Sequence, residues 1–124
     1  MAVTTLGKND FAAAFMGDTF TPFNAANARL CVGDSTAAFA VGQTDLQAAT
    51  NKFRKGMDAT YPIRAGNILT YKASFGATEA NFAWQEWGLA KSASSADMVQ
   101  RKVESLGTKP AGEIWALTAT LTVG

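Results

Sequence analysis

No histidine occurs among the 124 residues, cysteine occurs once, proline three times, and only 17% of positions are charged. Without histidine the chain lacks the commonest general base, the serine–histidine and cysteine–histidine nucleophile pairs, and the usual ligands of zinc. The single Cys31 excludes an internal disulfide and a cysteine-built zinc site. It stands in the apolar run Leu30-Cys31-Val32, which predicts a buried, inert thiol. No run approaches the roughly 18 apolar residues of a membrane span. A formal net charge of +1 leaves no global field to steer the protein toward nucleic acid or membrane. Residues 1–10 lack a basic start followed by an apolar run, so a chain made and kept in a cytoplasm-like compartment is expected.

Phosphate-binding loops are missing as well: there is no G-x-x-x-x-G-K-S/T and no strand-following G-x-G-x-x-G. Gly33-Asp34-Ser35 matches the first block of the GDS-type serine hydrolases, but those enzymes need a histidine base that this chain cannot supply. A glycosidase needs two acids facing one cleft. Glu79 and Glu86 are the only acids near the aromatic stretch, and one of them is expected in a loop. The expectation is a protein without catalytic activity, metal or cofactor, and without a nucleic-acid or membrane partner.

What is present is a 48% hydrophobic composition, enough for one domain that buries roughly two-thirds of its unfolded surface. Much of that fraction is alanine, so the core must be thin and set by a few aromatics. A surface rich in Ala, Thr and Ser suits a chain whose surface meets other chains, and equally a small soluble protein. Residues 78–89 hold two of the three tryptophans, Trp84 and Trp87, with Glu86 between them and Gly88 after them. We read this stretch as the core strand of a small β-sandwich around which the other elements are arranged.

Residues 7–17 are the best helix candidate, with Asn9 or Asp10 as cap, three alanines inside and Gly17 as terminator. Phe11 and Phe15, four apart, form one apolar stripe, which docks on the domain edge or on a neighbouring subunit. Arg29-Leu30-Cys31-Val32 reads as a strand closed by Gly33-Asp34-Ser35. A long connection follows to Thr50, with one helical turn at 45–48 and with Phe39 and Leu46 tucking inward.

Lys52-Phe53-Arg54-Lys55 is a strand with the densest positive charge, either a solvated face or a contact for the acidic surface of a partner. Pro62 places the next short strand, 61–65, at a sheet edge. Residues 68–75 alternate cleanly, with Leu69, Tyr71 and Phe75 facing inward. In the central stretch Phe82, Trp84 and Glu86 share one parity and Trp87 the other. Either both strand faces are covered, or a bulge near Glu86-Trp87 switches direction. A buried Glu86 needs a cation, and Arg64, Lys72 and Arg101 lie on neighbouring strands.

Residues 98–104 fit strand or helix, with β-rich surroundings and valine favouring strand, and 107–112 are read as a turn. Residues 113–123 close the chain as a strand with Trp115, Leu117, Leu121 and Val123 inward. That strand carries no charge after Glu113, so it must be central or have its edge covered by another chain. The fold class expected is all-β: an antiparallel β-sandwich of jelly-roll or immunoglobulin-like size at 18–124, preceded by a short helix or arm at 1–17.

Phe23-Asn24-Ala25-Ala26-Asn27-Ala28-Arg29-Leu30-Cys31-Val32-Gly33-Asp34-Ser35-Thr36, Gln43-Thr44-Asp45-Leu46, residues 79–89 and the terminal residues 115–123 together resemble small virion proteins of tailed bacteriophages. Glu86-Trp87-Gly88-Leu89 also resembles a Glu-Ile-Gly-Leu element of phage tail-collar fibre domains, with Trp87 as the departure. The resemblance implies a β-sandwich that assembles with copies of itself or with the shell. It implies a virion location, the major capsid protein as partner, and a decoration or cement role, with a tail or fibre-attachment protein as the alternative. Phe11, Phe15, Lys52, Arg54 and Lys55 are the expected partner contacts. Leu69, Tyr71, Phe75, Phe82, Trp84, Glu86, Trp87, Trp115, Leu117 and Leu121 are the expected core. A carbohydrate-binding module using Trp84 or Trp87 is the reading from a different class.

Overall fold

The computed structural model describes residues 2–93 and 96–123. Eight strands and one helix follow in the order β1 (Ala2–Val3), α1 (Thr5–Met16), β2 (Arg29–Gly33), β3 (Lys52–Gly56), β4 (Ile63–Ala65), β5 (Ile68–Phe75), β6 (Ala83–Ala90), β7 (Met98–Thr108) and β8 (Trp115–Thr122). They form a five-stranded sheet, β1-β7-β6-β2-β3, and a three-stranded sheet, β4-β5-β8, antiparallel throughout. The all-β, two-sheet architecture with a short N-terminal helix is the one the alternation predicts.

Strand β2 lies between β3 and β6, and four of its five residues are buried. Leu30 and Val32 enter the core between the sheets, where Tyr71, Phe75, Trp84, Trp87, Leu89 and Leu121 meet them. Cys31 points to the opposite face, into a second small cluster with Leu46, Ala90 and Met98. The connection 34–50 therefore roofs the outer face of the large sheet. Leu46 tucks in as expected, Phe39 is half-buried, and no helical turn forms at 45–48.

Opposite parity does not point Trp84 and Trp87 apart. Trp84 pairs with Gly107 but Glu86 pairs with Val103, so two steps on β6 span four on β7. That irregularity shifts the phase of β6 at Gln85 and brings both indoles into one core, leaving Glu86 on the roofed face. Both expected solutions, a bulge and two covered faces, occur together. Strand β7 runs on to Thr108, past the expected turn start, with Gly107 at φ 99° absorbing the distortion.

Residues 2–17 are stitched into the sandwich. Strand β1, too short to be read from the sequence, pairs with β7, and the Thr4 N–H donates to Val99 O at 3.0 Å. Thr4, not Asn9 or Asp10, caps α1: its hydroxyl accepts from the Gly7 N–H at 3.1 Å. A side chain at Gly7 would collide with the Val99 carbonyl, so glycine sets how closely the helix approaches the sheet. Gly17 ends the helix at φ 78°, with the Asp18 N–H returning to Ala13 O, as expected of a left-handed cap.

Candidate interaction surfaces

Every residue expected in the core is buried or half-buried, and Glu86 is the most constrained. It has no solvent exposure. Its carboxylate accepts from Arg101 Nε at 2.8 Å, from the Gln47 and Ala48 N–H groups at 2.8 Å each, and from the Ser35 N–H at 3.3 Å. Arg101, equally buried, uses its remaining nitrogens on Gln43 Oε1 and Ala37 O. The pair thus clamps the 34–48 connection onto β6 and β7. Of the three cations named from the sequence, sheet order selects Arg101 because β7 adjoins β6, whereas Arg64 and Lys72 lie in the other sheet. A side chain at Gly33 would collide with the Glu86 carboxylate, which explains a glycine at that point of β2.

Lys52, Arg54 and Lys55 do not form one patch, because successive residues of β3 face opposite sides. Arg54 donates to Asp45 Oδ1 at 2.8 Å, and to Asp97 Oδ1 and Ser92 O at 2.9 Å each, with its side chain 9% exposed. Lys52 reaches the same Asp45 at 3.5 Å. Lys55 turns the other way and grips both Glu79 oxygens at 2.9 Å. Each cation already has an anion of this chain, and Lys52 and Lys55 remain partly exposed beside theirs.

Burial on its own pushes the pKa of Asp45 up. The Arg54 hydrogen bond, the Leu46 N–H and the charges of Arg54 and Lys52 together outweigh it, and the carboxyl is held below its usual value. Folding then favours the deprotonated form. The contribution is complete above the unfolded carboxyl value of about 4 and is lost as pH falls through the lower folded value. Asp45→Asn is expected to cost about 1 kcal/mol at neutral pH, since a third of the carboxylate stays in water, and to flatten the stability loss below about pH 4. Urea unfolding of both proteins at several pH values checks this; parallel curves would exclude the ion pair as a contributor.

Cys31 is buried and its thiol is pushed up to about 12 by desolvation, which leaves it inert as expected. Ser35 sits in irregular chain after β2, with its Oγ accepting from the Ala37 N–H. Trp84 and Trp87 are 2% and 7% exposed, so neither offers a ring face on which a sugar could stack.

The most exposed large apolar side chains are Phe15 and Met16 on α1 and Ile114 just before β8. Phe15 is 92% and Met16 74% exposed, so of the two expected docking places Phe15 does not use the domain edge. The helix buries its Leu6–Gly7 side on the sheet and ties Asp10 to Lys91 at 2.8 Å, which turns the Phe15 side to solvent. One turn earlier, Phe11 enters the wall of a 320 Å³ cleft with Phe23, Ile63, Leu69 and Tyr71. Ile63 and Met16 were not singled out from the sequence. A lone isoleucine after a proline and a methionine before a glycine carry no periodic signal; Ile63 shares its cleft with Phe11, and Met16 stands in solvent. Compared with protein-family models, curated proteins and solved structures, this chain matches none.

Proposed function

We propose that this chain is a non-enzymatic structural protein of a tailed-phage virion, a decoration or cement protein that binds the outer shell and bridges capsid subunits. The resemblance of residues 23–36, 43–46, 79–89 and 115–123 supplies the family. The observation that carries the reading is the solvent-facing Phe11, Phe15 and Met16 side of a helix fixed to the sheet by Thr4, Gly7 and Asp10. A rigid apolar face binds with little ordering cost. Surface buried against neighbours and repeated around a shell opposes subunit loss through mass action.

Removing residues 1–17 would also remove β1 and the Thr4 contacts, so point substitutions isolate the face. Phe15→Asp with Met16→Asp is expected to leave stability within about 0.5 kcal/mol, both side chains being in water already. Binding to shells stripped of this chain is expected to weaken on the order of 100-fold, from the apolar burial forfeited. Undiminished binding would remove the helix from the interface. Copy number in purified particles separates the two virion roles: a simple fraction of the major capsid protein supports cementing, and a handful of copies supports the tail or its fibres.

A further inference from the structure

The two sheets end in four edge strands, β1, β3, β4 and β8. Three are blunted in the ways that keep sheets from joining. Strand β1 has two residues. Strand β3 carries Lys52, Arg54 and Lys55 in five residues. Strand β4 has three residues, follows Pro62 directly and includes Arg64.

Strand β8 has none of these devices. Its eight residues hold no charge, proline or glycine, and its register with β5 runs unbroken from Phe75↔Trp115 to Ile68↔Thr122. Among the described residues no strand pairs with its outer edge. Near its end Leu121 meets Phe11 and Val99 in the cleft under α1, while along its middle the edge opens over a 310 Å³ cleft. Thr118, Ala119 and Thr120 form one wall of that cleft, and Trp87 and Lys102 of the large sheet form the other. Trp87 Nε1 is buried there without an acceptor among the described residues.

We propose that β8 pairs with β8 of a second copy, antiparallel about a two-fold axis, joining two three-stranded sheets into one of six. Neutrality favours self-pairing: a two-fold sets each residue against another of the same short list, and a strand without charge opposes no like charges in any register. Outward Ala116, Thr118, Thr120 and Thr122 continue one exposed Ala/Thr face across the junction. Inward Leu117 of the incoming strand covers the cleft over Trp87, and its carbonyls and hydroxyls are the acceptors that the indole lacks. Blunted β4 at the far side of the same sheet stops growth at two copies. The inference needs only the isolated chain, so it stands or falls separately from the capsid reading.

Sedimentation velocity of the purified chain over a range of concentrations tests it, with far-UV circular dichroism confirming the fold of each variant. The wild type is expected to dimerise. Ala116→Lys with Thr120→Lys, and Ala116→Glu with Thr120→Glu, are each expected to weaken the dimer on the order of 100-fold or more through facing like charges. An equimolar mixture of the two variants is expected to dimerise again, which only β8 meeting β8 would produce. A wild type that stays monomeric throughout, or forms open polymers, overturns the proposal. So does a dimer indifferent to the lysine pair, or a mixture that fails to associate.

Discussion

Glu86→Ala is expected to remove about 5 kcal/mol of stability, a large share of what a domain of this size possesses. Among the described residues the carboxylate is the only anion on a fully buried guanidinium, and breaking such a pair from one side typically costs about 3–5 kcal/mol. Alanine would also orphan the N–H groups of Ser35, Gln47 and Ala48, each worth about 1–3 kcal/mol if water cannot reach it. The exposed side of the 34–48 connection admits some water, so these terms do not add in full. Glu86→Gln keeps the shape and one acceptor oxygen and should fall between.

Adding Arg101→Met to Glu86→Ala should recover part of the loss, because the unpaired charge leaves with the arginine while the orphaned N–H groups remain. Urea unfolding followed by tryptophan fluorescence measures all four proteins. A loss below about 1 kcal/mol for Glu86→Ala would mean that the connection is held by Leu46 and Phe39 packing alone.

Trp84→Ala is expected to cost about 3–5 kcal/mol, the range for deleting a large buried aromatic. Trp84 lies within an edge-to-face chain, 4.9 Å from Phe75 and 5.2 Å from Trp115, so its loss takes a ring partner from each and leaves Phe75 only Phe53. Its indole N–H donates to Ala80 O at 2.9 Å, and Ala80 holds a left-handed φ of 53° in the turn before β6. Removing the indole therefore empties the core and releases a strained turn at once. At about 4 °C per kcal/mol for a chain of this length, the midpoint of thermal unfolding should drop by roughly 10–20 °C. Trp84→Phe keeps most of the packing and loses the donor, so about 1–2 kcal/mol is expected. Equal losses for Phe and Ala would place the effect in the hydrogen bond and not in the cavity.

The strands that were legible share one property: their side chains alternate without interruption. Leu69, Tyr71 and Phe75 on β5, and Leu117 and Leu121 on β8, lie between two sheets with water on the other side, so burial prints a period of two directly into the sequence. Val123 breaks this pattern because it lies past the end of β8 and stays exposed. The helix was visible through its alanines and Gly17. Its start was misplaced because Thr4 is a capping residue whose role depends on β7, ninety-odd residues away: its hydroxyl also donates to Met98 O.

On the candidate surfaces, the aromatic spacing of Phe11 and Phe15 was readable, but their exposure was not. A stripe reads the same whether it is docked or free, and here Gly7 took the docked side because only a glycine fits against the Val99 carbonyl. The basic run at 52–55 was equally ambiguous. Charge density is a property of the chain, whereas neutralisation by Asp45, Glu79 and Asp97 depends on what folds against each face of β3.

By itself, then, the sequence determined the class of fold, through alternating strands separated by turns. Tertiary structure decided the pairings. It chose Arg101 for Glu86 by strand order, put Trp84 and Trp87 into one core by a phase shift at Gln85, and left β8 at an edge when its neutrality allowed either place. These choices are long-range, made by contacts between residues far apart in the chain, and local residue pattern carries no record of which distant partner wins.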